Sequence, residues 1–250
     1  MLLAIDVGNT QTVFGLFDGT ALREHWRIAT ETHRTGDELG VFLRGFLGDA
    51  ALEGIVLSST VPRLISAYGE LAERMGVELL PMGPGVRTGI PIRYDDPREV
   101  GPDRIANAVA ARDRYGAPCV VVDFGTSTNF DVVSADGEYV GGVLAPGVEI
   151  SMDALFARAA RLFKVDYVEP PTVIGKSTAN ALQSGLVYGF AGQVDAIVER
   201  IRAELGAPGA TVVATGGLAD LIAPHTRTVT RVDPWLTLEG LRLVWLRNRD

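Results

Sequence analysis

Short apolar runs alternate along the chain with longer segments in which apolar residues recur every three or four positions. Near the N-terminus, residues 2–5 and residues 13–17 form two such runs, and an Asp-Gly pair follows at residues 18–19. Two short apolar runs that are separated and followed by turn residues are typical of paired β-strands. The pattern therefore predicts a β-hairpin with Asp6 and Gly8 at its tip.

Capping residues mark the starts of two predicted helices. Thr35 and Glu38 have the spacing of a capping box, which predicts that a helix begins there. Ser59 or Thr60 is expected to cap the following helix, with Pro62 in its first turn. Strands and helices are therefore expected to alternate in the first half of the chain.

The second half of the chain repeats the order of the first. LLAIDVGNTQTVFGLFDG and PCVVVDFGTSTNFDVVSADG both run from an apolar strand through Asp, an apolar residue, Gly and small polar residues to a second strand and an Asp-Gly turn. Asp6 corresponds to Asp123, and Gly8 corresponds to Gly125. Strands and helices that alternate in two similar halves indicate an α/β fold with an internal duplication.

A Gly- and Pro-rich stretch over residues 83–102 lies between the two halves. Such stretches interrupt regular structure, so the crossing between domains is expected there. The predicted domains are residues 1–102 and residues 103–250. Further elements predicted in the second domain are a helix near residues 151–163, a long helix from about Thr178 to Leu205, a strand over 210–217 and a closing helix over 237–248.

The first hairpin tip has the chemistry of a phosphate cradle. Gly8 allows backbone N–H groups to approach a ligand without interference from a Cβ atom, and polar side chains surround it: Asn9, Thr10, Gln11 and Thr12. Asp6 cannot bind a phosphate directly, so a Mg²⁺ ion, held through water, is expected between them. These residues are also ordinary turn formers, but a second copy at Asp123 and Gly125 favours a functional role.

Composition and charge exclude several other classes of protein. With 23 basic and 31 acidic residues, the formal net charge is −8, unlike the basic footprint of a nucleic-acid binder. No apolar run approaches the roughly 20 residues that cross a bilayer, and MLLAI is too short to predict a signal peptide. The single cysteine, Cys119, is expected to be a buried thiol in a cytoplasmic protein.

Seven blocks of sequence, in one order, identify a family. The paired hairpins and the later Thr215-Gly216-Gly217 resemble the actin, sugar-kinase and Hsp70 superfamily, in which two ribonuclease H-like domains hold ATP in the cleft between them. The blocks are DVGNTQTVFG, IRYDDPREVGPDRIANAVAA, VDFGTSTNFDVV, GGVLAPG, VIGKSTANALQSGLVYG, ATGG and DPWLTLEGL. This series resembles the type III pantothenate kinase family. The resemblance implies ATP-dependent phosphorylation of pantothenate to 4′-phosphopantothenate, the first step of coenzyme A biosynthesis, by a cytoplasmic homodimer.

The resemblance also implies a nucleotide site. The ATP phosphates would be surrounded by Asp6, Val7, Gly8, Asn9, Thr10, Gln11, Thr12 and Val13, and Thr126 would contact the nucleotide from the facing domain. Asp123 would help to hold a monovalent cation, K⁺ or NH₄⁺. From the residues alone, ligands of Mg²⁺ and of K⁺ are not distinguished.

Pantothenate, by the same resemblance, would be bound by Tyr94, Gly101, Pro102, Asp103, Arg104 and Thr178, with Asp103 as the proton acceptor. The chemistry of the sequence agrees, because Asp103 and Arg104 lie at a predicted helix start, where backbone N–H groups favour anions. Arg104 offers a fork of donors to a carboxylate or a phosphate. The alternative is that Asp103 is simply a helix-start carboxylate.

Three positions depart from the usual family pattern. Pro102 stands where alanine is common in the GPDR loop, so one backbone N–H donor is missing. Ser127 and Asn129 stand where alanine and threonine are usual in the second hairpin. None of these changes removes a charged group.

Two other functions and one structural question stay open from the sequence. The chain is also consistent with another small-molecule kinase of the superfamily, or with a non-enzymatic, nucleotide-binding regulatory relative. Gly185, Gly189 and Gly192 form a strip on the long helix where another backbone can approach closely. That backbone belongs either to the same chain or to a second subunit.

Overall fold

The computed structural model describes residues 1–159 and 162–249. The chain packs as two compact units, Met1–Ala110 together with the residues from Leu236 on, and Ala111–Trp235. The division at residues 102 and 103, which is drawn from the sequence, stays a prediction. No helix among the described residues is long and apolar enough to cross a membrane.

Strands and helices alternate along the chain, as predicted. The strands are β1 (Leu2–Val7), β2 (Gln11–Asp18), β3 (Ala21–Ala29), β4 (Gly54–Ser59), β5 (Glu78–Pro81), β6 (Cys119–Phe124), β7 (Ser127–Val133), β8 (Tyr139–Pro146), β9 (Thr211–Thr215) and β10 (Arg231–Val232). The helices are α1 (Gly36–Leu47), α2 (Pro62–Met75), α3 (Pro102–Tyr115), α4 (Val148–Arg158), α5 (Thr178–Glu204), α6 (Ala219–Ile222) and α7 (Leu236–Arg247). Residues 160 and 161, which belong to the helix predicted near 151–163, lie outside the described residues.

The two sheets have the same topology, which confirms the predicted duplication. The first has the order β3-β2-β1-β4-β5, and the second, read from its other edge, has the order β8-β7-β6-β9-β10. In each sheet, the three strands that come first in sequence pair with one another in antiparallel fashion. The two later strands pair in parallel with their neighbours. Asp6 on β1 and Asp123 on β6 therefore occupy equivalent positions.

Helices cover both faces of the first sheet. Because side chains alternate along a strand, Leu3, Ile5 and Val7 pack on one face with the apolar residues of α1 and α2. On the opposite face lies α7: a Cβ atom on Gly54 would overlap the Trp245 ring, and one on Gly15 would lie 2.8 Å from Leu238 Cδ1. Asp6 belongs to the face that α7 covers.

The second sheet buries one face beneath α5. Its core contains Val120, Val122 and Phe124 of β6, together with Leu186 and Val194 of α5. Asp123 alternates with these residues, so its side chain lies on the other face. Cys119 is buried, as predicted, and burial raises the pKa of its thiol to about 12.

A capping residue marks the start of α1 as predicted, but the cap of α2 differs from the prediction. The Thr35 hydroxyl accepts a hydrogen bond from Glu38 N–H at 3.3 Å, and Glu38 Oε2 accepts one from Thr35 N–H at 2.8 Å, so the capping box is confirmed. The predicted cap of α2 was wrong, since the N-cap residue is Val61. Ser59 Oγ accepts instead from Val61 N–H at 3.0 Å, one residue before the helix.

The pattern did not predict β3 as a strand. Its residues are mostly exposed, because β3 is an edge strand with a partner only on one side. The pairing also shifts by one residue between Leu16 and Phe17 of β2. An exposed edge strand with a bulge lacks the clean alternation by which strands are recognised.

Candidate active site

The first hairpin tip presents polar groups to solvent. Val7 pairs with Thr12, and Gly8 N–H donates to the Gln11 carbonyl at 3.0 Å to close the tip. A Cβ atom on Gly8 would lie 3.0 Å from that carbonyl oxygen, so a side chain there would crowd the turn. The side chains of Asn9, Thr10 and Gln11 are exposed. The tip therefore offers exposed polar side chains of the kind expected of a phosphate cradle.

Asp6 lies below this tip at the carboxyl end of β1. It pairs across the sheet with Val13 on β2 and with Ser58 on β4, and it is half-buried. Behind the tip, the buried Thr12 hydroxyl lies 2.9 Å from Thr30 Oγ1. The register of three strands thus holds the Asp6 backbone in place.

The second hairpin places Asp123 at the equivalent point in the other unit. Asp123 pairs with Asn129 on β7 and with Thr215 on β9. The next residue along the chain from Thr215 is Gly216, at φ +91°, and a Cβ atom there would lie 2.6 Å from Asp123 Oδ1. Only glycine has both the backbone freedom and the missing side chain that this approach requires.

Thr126 forms the tip of the second hairpin. Gly125 N–H donates to the Ser127 carbonyl at 3.1 Å, which makes this tip tighter than the first. Gly147, which follows β8, lies so close that a Cβ atom would overlap the Thr126 carbonyl group. Gly147 was not predicted as a site residue, although the GGVLAPG block that contains it was a signal. The structure thus gathers Asp123, Thr126, Gly147 and Gly216.

Two of the departures from the family pattern contact each other. Ser127 Oγ donates a hydrogen bond to Asn129 Oδ1 at 2.6 Å. Asn129 is buried and faces Asp123 across the β6–β7 pair. Ser127 and Asn129, which replace the usual alanine and threonine, are therefore joined by a hydrogen bond.

The start of α3 holds the predicted proton acceptor. The Gly101 carbonyl accepts hydrogen bonds from Arg104 N–H at 3.1 Å and from Ile105 N–H at 3.2 Å, so the helix begins in the GPDR loop. The Asp103 carboxylate folds back over Gly101, where a Cβ atom would overlap its Oδ1. Burial raises the pKa of Asp103, and hydrogen bonds from the backbone N–H of Arg104 oppose that rise.

The other residues predicted for pantothenate lie in both units. Arg104 is only 6% exposed, while Tyr94, Gly101 and Pro102 are half-buried. Thr178 is exposed in the first turn of α5, where the Ser177 hydroxyl caps the helix by accepting from Asn180 N–H at 3.2 Å.

The donor set fits a hard cation held together with phosphates. Among residues 1–159 and 162–249, no three His, Cys, Asp or Glu side chains form a group that could hold a metal ion. Mg²⁺ in phosphoryl-transfer sites is typically bound by one or two carboxylates, water and the phosphates of the substrate. A single carboxylate near the end of a strand and beside a glycine-containing hairpin tip, as at Asp6, suits that mode of binding.

Comparison with known proteins identifies relatives over the whole chain. The family model described as type III pantothenate kinase matches residues 2–200. A type III pantothenate kinase from Acidothermus cellulolyticus is 55% identical over 99% of this chain and 99% of its own length. One from Frankia alni is 56% identical over 99% of this chain and its entire length.

Solved structures with the same fold are more distant in sequence. The activator of the 2-hydroxyisocaproyl-CoA dehydratase from Clostridium difficile, with bound ADPNP, is 14% identical with a TM-score of 0.55 and covers 99% of this chain and 94% of its own. A ROK hexokinase from Thermus thermophilus is 15% identical with a TM-score of 0.53 and covers 99% of both chains. These likenesses concern the fold alone, and they confirm the predicted actin-like α/β architecture.

Proposed function

The chain belongs to the type III pantothenate kinase family, and we propose that it phosphorylates pantothenate with ATP to give 4′-phosphopantothenate, the first step of coenzyme A biosynthesis. The observation that carries the proposal is the match to curated relatives over 99% of the chain. The site residues support it, because Asp6 and Asp123 lie beside hairpin tips, and Asp103 and Arg104 lie at a helix start, positions that suit phosphate or carboxylate binding.

Asp103 is the proposed proton acceptor. The primary hydroxyl oxygen of pantothenate forms a bond to the γ-phosphorus while the bond from that phosphorus to the bridging oxygen breaks, and ADP leaves. The hydroxyl proton passes to Asp103. Since phosphoryl transfer proceeds through a loose transition state, holding the hydroxyl in line matters more than strong basicity. The backbone hydrogen bonds that orient the Asp103 carboxylate serve that purpose.

The hairpin tips are the proposed nucleotide site. Backbone N–H groups and side chains of residues 6–13 bind the phosphates, and Thr126 contacts the nucleotide. Asp6 is the residue that would hold Mg²⁺ through water, and the ion would supply positive charge to neutralise the phosphates.

A monovalent cation is proposed at Asp123. The close approach of Gly216 to the Asp123 carboxylate supports this role, because it brings that carboxylate against the backbone at the ends of β6 and β9. Asp123→Ala should abolish stimulation by K⁺ or NH₄⁺, measured as the ratio of turnover in potassium and in sodium buffer. A variant that is stimulated as strongly as the wild type would place the cation elsewhere.

The remaining pantothenate contacts are proposed at Tyr94, Gly101, Pro102, Arg104 and Thr178. Arg104 is the residue best suited to the carboxylate of pantothenate or to the transferred phosphoryl group, since its guanidinium offers paired donors. Pro102 costs no helical hydrogen bond, because it is the first residue of α3, where the N–H group would have no partner within the helix.

A cytoplasmic homodimer is the proposed form of the enzyme. In the second unit, Ile174 is 82% exposed, Val173 65% and Leu144 61%. On α5, Cβ atoms built on Gly185, Gly189 and Gly192 would meet no atom within 4 Å. The glycine strip therefore has no close neighbour among the described residues, which supports its use by a second copy of the chain.

The test is an assay of the purified protein with Mg-ATP and pantothenate, in which the rate of ADP release measures turnover. The wild type should turn over pantothenate, and Asp103→Asn should lower kcat by roughly 10²-fold or more because general-base catalysis contributes about that much. Arg87→Gln, a change of an exposed charge outside the proposed site, should leave kcat within about twofold. If a folded wild type consumes ATP only with another hydroxyl compound, the chain is a different kinase of the same superfamily.

A further inference from the structure

Two residues of α7 contact the first turns of α3. Thr237 Oγ1 donates a hydrogen bond to Asn107 Oδ1 at 2.7 Å, and Asn107 is fully buried. Gly240 lies against Ala106: a Cβ atom on Gly240 would overlap the Ala106 carbonyl oxygen and lie 2.5 Å from its carbonyl carbon. The two helices therefore meet backbone to backbone, and a hydrogen bond sets their register.

The contacted residues share a helix face with Asp103. Residues three and four apart lie one above the other on an α-helix, so Ala106 and Asn107 lie directly beyond Asp103 on α3. The alanines around them are buried and too small to allow rotamer adjustments: Ala106, Ala108, Ala110 and Ala111. A displacement at Ala106 is therefore transmitted to the first turn of the helix.

A second face of α7 packs on the first sheet. Leu238 packs against Gly15, which pairs with Ala4 of β1. Trp245 packs against Gly54, which pairs with Leu2 of β1. The helix thus runs antiparallel to β1, and its N-terminal end points toward the carboxyl end of β1, where Asp6 lies.

We propose that Thr237 and Gly240 are positioning residues that hold the first turn of α3, and with it the Asp103 carboxylate, in the geometry needed for phosphoryl transfer. They act through Ala106 and Asn107 without contacting substrate. This inference rests on the proposed function. A misplacement of about 1 Å in a reacting group can cost on the order of 10² in rate, and a side chain at position 240 forces a shift of at least that size.

Thr237→Val tests the hydrogen bond with little change in volume. It leaves the buried Asn107 oxygen without its hydroxyl donor, so kcat for pantothenate should fall by about tenfold, while the KM for ATP stays within about twofold. Thr237→Ser, which keeps the donor, should restore kcat to within about threefold of the wild type. Gly240→Ala should lower kcat further, by roughly 10²-fold.

A control and a double variant separate positioning from general destabilisation. Trp245→Phe loosens α7 at its far end, so it should lower Tm with kcat within about twofold of the wild type. If Thr237 acts through Asp103, the variant Asp103→Asn with Thr237→Val should be no slower than Asp103→Asn alone, because residues that act as a unit are not additive.

Three results would overturn the inference. These are additive losses in the double variant, an unchanged kcat in a folded Thr237→Val protein, or a loss in Thr237→Ser as large as in Thr237→Val. Failure of the proposed function looks different, since the wild type itself would then not phosphorylate pantothenate, or Asp103→Asn would retain full turnover.

Discussion

At the scale of the residue, Asp103 combines two opposing demands. Asp103 is the proposed proton acceptor, and its burial raises its pKa above the ordinary value of about 3.9. Hydrogen bonds from backbone N–H groups at the start of α3 act against the rise and orient the carboxylate. The start of α3, which was visible in the sequence as GPDR, therefore limits the rise in the pKa of Asp103 and also positions its carboxylate.

The raised pKa predicts a pH-dependent gain in stability for Asp103→Asn. The folded state holds the Asp103 proton more tightly than the unfolded chain, so its contribution to stability is present below pH 3.9 and is lost as pH rises through the folded pKa. The free energy of unfolding of Asp103→Asn should therefore exceed that of the wild type at pH 7, and the difference should shrink toward pH 4.

Urea unfolding of both proteins between pH 4 and pH 7 measures this difference. Asp136→Asn, which changes an exposed carboxylate in a turn, should stay within about 0.5 kcal/mol of the wild type throughout. A difference between Asp103→Asn and the wild type that does not depend on pH would contradict the assigned burial effect.

At the scale of the element, the ends of parallel strands bring separate motifs together. Asp123 is the penultimate residue of β6, and Gly216 follows β9, more than ninety residues later in the chain. Because β6 and β9 are parallel neighbours, their carboxyl ends meet at one edge of the sheet. The sequence contained both motifs, but only the pairing register shows that the glycine backbone lies over the carboxylate.

Gly216→Ala should therefore disturb the proposed cation site. The new Cβ atom would displace the Asp123 carboxylate, and the concentration of K⁺ that gives half-maximal stimulation should rise by about tenfold or more. Steady-state kinetics at increasing K⁺ concentration measures this change. Gly206→Ala is the matched control, because Gly206 also has positive φ, +61°, but nothing lies within 4 Å of its Cβ position.

Both alanine variants should lose roughly 1 kcal/mol or more of stability from backbone strain. Only Gly216→Ala should change the response to potassium. If a folded Gly216→Ala protein keeps the K⁺ dependence of the wild type, the contact of Gly216 with Asp123 no longer supports a cation site there.

At the scale of the whole molecule, the exposed apolar residues of the second unit support self-association. Ile174 and Val173 lie in the segment before α5, and Leu144 lies on β8. Scattered apolar residues are normal on protein surfaces, but here they occur in the same unit as the open glycine strip of α5.

Ile174→Asp should weaken the proposed dimer by at least about tenfold in Kd, because a buried charge at an interface is costly. Sedimentation velocity over a range of protein concentrations measures the shift from dimer to monomer. Val41→Asp, at a 62% exposed position on α1 of the other unit, should sediment like the wild type. A wild type that is monomeric at micromolar concentration would reject the dimer.

The sequence by itself determined the architecture and the family. Hydrophobic periodicity and capping residues are local signals, so the starts of α1 and α3 and the bounds of α5 and α7 were predicted close to those observed. The repeated hairpin revealed the duplication. Asp6, Asp123 and Asp103 were named because short motifs carry their chemistry in adjacent residues.

Only the tertiary structure decided which distant residues meet. The edge strand β3, the approach of Gly216 to Asp123 and the contact of Gly147 with Thr126 depend on strand register. The packing of Gly240 and Thr237 against α3 depends on how a C-terminal helix returns to the first unit. Such contacts join residues far apart in the chain, and a local pattern of apolar and polar residues does not encode their partners.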